Sequence, residues 1–229
     1  VQTIVADAIV RQDSSRGWTV ELNPETLPRV LVDHVYFRQV SAGVGHSETE
    51  RDYLAECMKI ANWLTRSLDQ RAKTILKVAS EIVLRQSAFL EKGVEHLRPL
   101  TLTSVADAIG MHESTVSRVT SNKYIATPRG IFELKFFFTA SIAASGDGDS
   151  HSSEAVRHRI RQMIEAESAE KVLSDDIIVR NLNTEGVEIA RRTVAKYREA
   201  MHIASSVQRR REKRALARSD ATRRIRQSG

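Results

Sequence analysis

Residues 190–199, ARRTVAKYRE, are the segment of this chain whose side chains are best suited to chemistry. Ala190, Val194 and Tyr197 fall on one face of a helix, and the rest of its surface is basic. Two adjacent arginines stand in its first turn, where the helix dipole disfavours cations. Arginine is useful there if it faces a phosphate or the O6 and N7 acceptors of guanine. The pattern predicts a recognition helix for a DNA major groove, and an ordinary amphipathic helix with a solvated basic face is the alternative.

A second segment, GMHESTVSR at 110–118, has the features that a helix-turn-helix requires. Ala106 is small where two helices must touch, and Gly110 follows four residues later, where the turn needs a positive φ. Apolar residues fill the angle between the helices, and a second helix is predicted from about Glu113 to Ser121. A unit that makes only protein contacts is the alternative. The side chains expected to face base edges are His112, Glu113, Ser114, Ser117 and Arg118.

The elements around residues 190–199 indicate a second unit of the same kind. An amphipathic helix is predicted over 154–169, Ser174 caps the next helix, and Gly186 ends it before a third helix over 191–201. The turn is two residues longer than in the first unit, and residues 193–196 align with 115–118. Two such readers predict two short recognition elements on one face of DNA, about one helical turn apart.

The chain before these readers contains a short β segment and then a long helical one. Apolar runs at 4–10 and 18–22 flank a turn and predict a hairpin, whereas residues 31–40 fit either a strand or a helix. Ser47 and Glu50 form a capping box, and no Pro or Gly follows until Gly93. A single helix of about 45 residues would span roughly 65 Å. Two helices with a break near Asn62 are the alternative.

The predicted fold is mainly α, with the β hairpin at its N-terminus. Residues 131–138 are expected to cover the first unit as a strand or extended segment. Residues 139–153 are rich in Ala, Ser, Gly and Asp and predict a flexible linker with a reach of about 20 Å. The basic tail at 208–229 is expected to be a disordered arm that attracts phosphates, and the alternative is that its residues beyond Arg211 are inert. The predicted divisions of the chain are 1–46, 47–98, 99–138, 139–153, 154–207 and 208–229.

Composition favours a polyanionic partner and excludes several classes of protein. The formal charge is +6, the pI is about 9.7, and Cys57 is the only cysteine, which excludes an intrachain disulfide. No run approaches the roughly 18 apolar residues of a membrane span. The sequence has no phosphate loop, no His-Glu-x-x-His and no Gly-x-Ser-x-Gly. We therefore expect neither an enzyme nor a metal or organic cofactor.

These segments resemble one family. Residues 190–199 match, residue for residue, the signature box near the C-terminus of sigma-54 type RNA polymerase sigma factors, and residues 110–118 closely resemble the family's reader of the minus-12 promoter element. The resemblance implies a long helix before that reader and the end of a core-binding domain over the first 46 residues. It also implies that 190–199 read the minus-24 GG element. Arg191 and Arg192 would belong to that reader with Thr193 and Arg198, Arg192 would contact a guanine, and Lys196 and Tyr197 would lie nearer phosphates.

The resemblance further implies a cytoplasmic, nucleoid-associated bacterial protein. Its partners would be promoter DNA, core RNA polymerase and an ATP-driven activator that opens the closed complex. The family's glutamine-rich N-terminal region and most of its core-binding domain are absent from this sequence, which begins at Val1. This chain alone is therefore expected to bind promoter DNA without supporting regulated opening. A stand-alone repressor with two readers and a helical interaction module are the alternatives.

Overall fold

The computed structural model describes residues 4–13, 17–43, 48–139, 141–142 and 151–227, without the side chains of 43, 141 and 217–227. Its contacts divide the chain into two compact units, Val1–Leu84 with Leu102–Phe136 and Arg85–Thr101 with Phe137–Gly229. The helices are α1 His34–Gly43, α2 Glu48–Arg85, α3 Ser87–Lys92, α4 Leu102–Ile109, α5 Glu113–Thr120, α6 Ser153–Glu165, α7 Asp175–Thr184, α8 Arg191–Ala200 and α9 Ser206–Gln227. The strands are β1 Ala8–Asp13, β2 Gly17–Leu22, β3 Tyr124–Thr127, β4 Gly130–Glu133, β5 Ser141–Ile142 and β6 His151–Ser152.

The predicted mainly α fold with an N-terminal hairpin is confirmed, and the hairpin belongs to a larger sheet. β1 and β2 pair antiparallel, β1 pairs parallel with β3, and β3 pairs antiparallel with β4, in the order β2-β1-β3-β4. The first strand begins at Ala8 and reaches Asp13, later at both ends than predicted. Two strands alone bury too little to be stable. Pairing with β3 supplies the burial that the two strands lack. The predicted division at residue 46 therefore does not separate the hairpin from the first helix-turn-helix unit.

Asp7 fastens the hairpin to that unit. Its side chain, which is 8% exposed, accepts hydrogen bonds from Lys123 Nζ at 2.8 Å and from the backbone amide of Tyr124 at 2.9 Å. Its own amide donates to the Tyr124 carbonyl at 2.8 Å. One aspartate therefore joins segments that are more than a hundred residues apart in the chain.

The long helix α2 is continuous through Asn62, as the single-helix prediction requires, but it ends at Arg85 and not near Gly93. With 38 residues it is about 57 Å long. The chain leaves the helical path at Gln86, which has φ −102° and ψ 22°. The buried Gln86 side chain donates to the Arg98 carbonyl at 2.8 Å and accepts from the Arg98 amide at 3.0 Å. These two bonds satisfy the buried Gln86 amide and join the break to the backbone of Arg98. Ser47 of the predicted capping box lies outside the described residues.

The second unit includes the segment that follows this break. Phe89 of α3 meets Phe137 edge to face, with ring centroids 5.4 Å apart, and both side chains are buried. β5 and β6 pair antiparallel, so the described ends of the predicted linker lie side by side. Residues 140 and 143–150 of that linker lie outside the described residues. Residues 142 and 151 are paired with each other, so the chain between them does not span the distance of about 20 Å that a flexible linker of this length could reach.

α6, α7 and α8 enclose the core of the second unit. Its buried members include Val156, Ile160, Ile178, Leu182 and Val194. The prediction of a disordered tail is wrong, because the chain continues as α9. None of the described helices is long and apolar enough to cross a lipid bilayer.

Candidate nucleic-acid interface

α4 and α5 form the predicted helix-turn-helix in the first unit. Gly110 has φ +66°, and the Met111 amide behind it donates to the Ala106 carbonyl at 2.9 Å, which closes the end of α4. Val105 and Ala106 on α4 and Val116 on α5 are buried. The glycine and the small residue therefore have the positions that the sequence predicted.

The start of α5 is held by its own side chains. His112 precedes the helix, and its Nδ1 accepts from the Ser114 amide at 3.2 Å and lies 2.8 Å from Ser114 Oγ. Glu113 Oε2 accepts from the Thr103 hydroxyl at 3.0 Å. Ser117 is half-buried. Arg118 is exposed, and it has no hydrogen bond or ion pair to any residue that the structure describes.

α7 and α8 repeat this design in the second unit. Gly186 has φ +87°, and the Val187 amide donates to the Leu182 carbonyl at 2.9 Å, the same six-residue closure as in the first unit. Helix α8 begins at Arg191, just as α5 begins at Glu113, so the alignment of 193–196 with 115–118 holds in the structure. Ala190 supplies no side-chain cap. Counted from the glycine to the first residue of the next helix, the turn is two residues longer than in the first unit, as predicted.

The exposed face of α8 carries two cations one turn apart. Arg192 and Lys196 are both exposed, and neither has a hydrogen bond or ion pair within the part of the chain that the structure describes. Arg191 is also exposed, and its Nε lies 3.2 Å from the Asp176 carboxylate at the start of α7. Thr193 is half-buried. Arg192 and Lys196 can therefore meet a ligand without breaking a protein contact, whereas Arg191 is shared with Asp176.

Arg198 is not on that face, and its assignment to the DNA surface is corrected. Its side chain is only 8% exposed and binds the Asp175 carboxylate through Nε at 3.0 Å and Nη2 at 3.3 Å. Its Nη1 donates to the Ile203 carbonyl at 2.9 Å. Val194, one turn earlier, is fully buried, and side chains four residues apart share a helix face. Arg198 therefore points inward and stabilises the domain.

Tyr197 is also turned partly toward the protein. It is half-buried against the core, and the guanidinium carbon of Arg157 lies 4.9 Å from the centre of its ring. Its contact with phosphates stays a prediction.

A second buried arginine, Arg209, lies on α9, and no pattern in the sequence singles it out. Arg209 binds Glu167 through Nε at 2.8 Å and Nη2 at 3.1 Å, and it donates to the carbonyls of Ala204 and Leu173 at 2.6 and 2.7 Å. Lys213 Nζ donates to the Glu167 carbonyl at 2.6 Å. Burial alone would raise the pKa of the Glu167 carboxyl, but the hydrogen bonds from Arg209 and from the Leu173 amide, with the nearby positive charges, bring it below its ordinary value.

Fold and site together define a protein with two helix-turn-helix units, each with an exposed cation at the matching position of its second helix. Residues 51–211 match the family model described as the sigma-54 DNA-binding domain, and this chain belongs to that family. The RNA polymerase sigma-54 factor of Rhizobium meliloti is 67% identical over 217 residues, which are 95% of this chain and 42% of that protein. The corresponding factor of Caulobacter vibrioides is 64% identical over 211 residues, 92% of this chain and 42% of that protein.

A solved structure agrees with these relatives. The crystal structure of Aquifex aeolicus sigmaN bound to promoter DNA matches with a TM-score of 0.57 and 33% identity, over 92% of this chain and 62% of that chain. The chain spans about two fifths of the length of the sigma-54 factors that it matches.

Proposed function

We propose that this chain is the promoter-reading part of a sigma-54 type initiation factor, with α5 as the minus-12 reader and α8 as the minus-24 reader. The observation that carries the proposal is the pair Arg192 and Lys196, exposed, unpaired among the described residues and one turn apart on α8. Arg118 takes the position on α5 that Lys196 takes on α8. A fork of guanidinium donors beside an ammonium group fits a guanine edge beside a phosphate.

Each exposed residue then has a distinct role. Arg192 donates to the O6 and N7 atoms of a guanine, and Lys196 meets the phosphate backbone one turn along. Arg191, held toward Asp176, lies to one side of the base-reading position and reaches a phosphate. On α5, Arg118 and Ser117 face the second element, while His112, Glu113 and Ser114 fix the start of the helix and present their remaining polar atoms.

In the complete factor this reading would direct core RNA polymerase to promoters with minus-24 and minus-12 elements. The closed complex would then wait for an ATP-driven activator. The chain itself would act by binding and not by catalysis, in the bacterial cytoplasm on the nucleoid. Asp7 connects the polymerase-binding side to the minus-12 reader, because the hairpin lies in one sheet with β3, the strand that follows α5.

The test is a comparison of Arg192→Ala on two duplexes. One duplex carries both promoter elements, and in the other the guanines of the minus-24 element are replaced. Loss of a bidentate guanine contact costs about 1–3 kcal/mol, so affinity for the first duplex should fall roughly 5- to 150-fold. Affinity for the second should change little. Arg161→Ala, which removes an exposed arginine on α6, is the matched control and should leave both affinities nearly unchanged.

Equal losses on both duplexes would reduce Arg192 to a phosphate contact and remove the main support for the proposal. A second comparison tests whether the two readers act together. Insertion of about five base pairs turns the elements to opposite faces of the duplex and should abolish the gain from bivalent binding. An unchanged affinity would mean that only one reader binds at a time.

A further inference from the structure

The last helix carries the whole basic excess of this chain. α9 contains nine Lys and Arg residues and two Asp and Glu residues, a net charge of +7. The full sequence has +6, so the residues outside α9 sum to −1. Any attraction to a polyanion that depends on net charge therefore comes mainly from this one element.

The root of α9 is fixed to the second unit by a buried cluster. The Glu167 side chain has no exposed surface, Arg209 is 7% exposed, and Arg209 binds both carboxylate oxygens of Glu167. Lys213, one turn along α9, lies 3.4 Å from the same carboxylate. Three side-chain donor atoms, two on Arg209 and one on Lys213, thus hold this carboxylate and leave the first two turns of α9 little freedom to swing.

The link between α8 and α9 is fixed as well. Arg198 of α8 donates to the carbonyl of Ile203, and Arg209 of α9 donates to the carbonyl of Ala204. The Ile203 amide also donates to the Arg198 carbonyl at 3.0 Å, which closes the end of α8 around His202 at φ +57°. The direction of α9 relative to the α8 reader is therefore set by consecutive, internally bonded residues.

The side of α9 turned away from this cluster is free for a ligand. Arg210, Arg211 and Arg214 are exposed, and none has a hydrogen bond or ion pair to the described residues. Helical spacing turns Arg211 and Arg214 to the side opposite Arg209, and it places Arg210 about 100° from Arg209 around the helix. With 22 residues, α9 is about 33 Å long, which matches roughly ten base pairs at 3.4 Å each.

We propose that α9 is a rigid phosphate-binding arm that extends the grip of the α8 reader onto the DNA beside its recognition element. The proposal rests on the proposed function for its location on promoter DNA. DNA is favoured over an acidic protein surface because the arm is fixed to the same compact unit as α8. The contact carries no sequence information, since phosphates are the same at every step.

The first test removes the free charges with Arg210→Ala, Arg211→Ala and Arg214→Ala together in the full chain. Each lost phosphate contact lowers the slope of log affinity against log salt by about 0.9, so the triple variant should lose up to about 2.7. Between 50 and 200 mM salt the wild-type affinity should fall about 40-fold more than that of the variant. The loss should be the same on a duplex with or without the minus-24 guanines.

The second test releases the arm without changing its charge. Arg209→Lys keeps the cation but cannot bind both Glu167 oxygens and two carbonyls at once. Arg210→Lys makes the same change at an exposed position and is the matched control. On a duplex with ten flanking base pairs on each side, Arg209→Lys should weaken binding several-fold, while Arg210→Lys should not. Circular dichroism at the temperature of measurement checks that both variants are folded.

The outcomes separate this proposal from the proposed function. An unchanged salt slope in the triple variant would overturn the arm as a DNA contact, and so would a loss confined to binding of core RNA polymerase. Wild-type binding by Arg209→Lys would overturn the rigid attachment. If Arg192→Ala showed no preference for the guanine duplex, promoter reading would fall, whereas the arm would stand if its slope change persisted.

Discussion

Replacement of Arg198 by Ala tests whether this arginine of the 190–199 segment holds the domain together or reads DNA. The substitution leaves Asp175, whose side chain is 17% exposed, without its bidentate partner and leaves the Ile203 carbonyl without its donor. Removal of one partner of a buried ion pair costs about 3–5 kcal/mol. Asp175 keeps some contact with solvent, so we expect about 3 kcal/mol. In a domain of this size that lowers the melting temperature by about 10 °C or more.

The assay is thermal unfolding followed by circular dichroism, with DNA binding measured well below the transition. Arg192→Ala is the control within the same helix, because it removes an exposed arginine with no partner in the described part of the chain. It should shift the melting temperature by no more than about 2 °C, since surface substitutions usually stay within 0.5 kcal/mol. Arg198→Ala should thus lose stability and keep guanine recognition, whereas Arg192→Ala should keep stability and lose guanine recognition.

A double substitution checks the cause. If the loss comes from an unpaired Asp175, removal of both partners should cost clearly less than the sum of the two single changes. An Arg198→Ala protein that melts like the wild type but loses affinity for the promoter duplex would refute this reasoning. It would return Arg198 to the DNA surface.

Two further predictions concern the carboxylates of Asp7 and Glu167. Asp7→Ala should destabilise the first unit by about 1–3 kcal/mol, because Lys123 loses its partner and the Tyr124 amide loses its acceptor. Urea unfolding measures this loss, and Asp107→Ala, which removes an exposed aspartate on α4 of the same unit, is the control. The pKa of Glu167 is below its ordinary value, so its contribution to stability is complete above the unfolded pKa, near 4.5, and is lost as the pH falls through the folded pKa. Melting temperatures between pH 6 and pH 3 should therefore fall more steeply in the wild type than in Glu167→Gln; parallel curves would contradict the assignment.

The turns were predictable because glycine is the residue that adopts a positive φ without cost. Gly110 and Gly186 both do so, and both are followed by the same six-residue hydrogen bond. The extra length of the second turn could be counted from the sequence. Helix starts at Glu113 and Arg191 followed from this counting.

The end of the long helix could not be predicted from local residue types. No Pro or Gly marks the region of Gln86, and an amide side chain is acceptable in a helix. The break is stable because the buried amide forms two bonds with the Arg98 backbone, a partner twelve residues away whose position only the folded structure supplies. The order of the tail could not be predicted either, because nothing in the local sequence distinguishes the buried Arg209 from its basic neighbours.

The inward position of Arg198, by contrast, could be predicted from the spacing of residues in the sequence. Arg198 follows Val194 by four residues, and Val194 was already assigned to the core face. Residues that share a face with a buried valine are buried with it, and a buried arginine needs a carboxylate. Asp175, in the first turn of α7, is that carboxylate. The basic composition of residues 190–199 favours a DNA-facing Arg198, whereas the four-residue spacing from Val194 favours a buried one, and the spacing is the better guide.

Arginine therefore has two opposite roles in the second unit, and the buried role supports the exposed one. Arg198 and Arg209 each place a guanidinium fork on one carboxylate and direct Nη1 to a carbonyl, at the consecutive residues Ile203 and Ala204. Lysine cannot reproduce this geometry, because it has a single charged nitrogen on a flexible stem. Helices held in this way lose little freedom when a ligand binds, so more of the interaction energy of Arg192 remains for discrimination between bases.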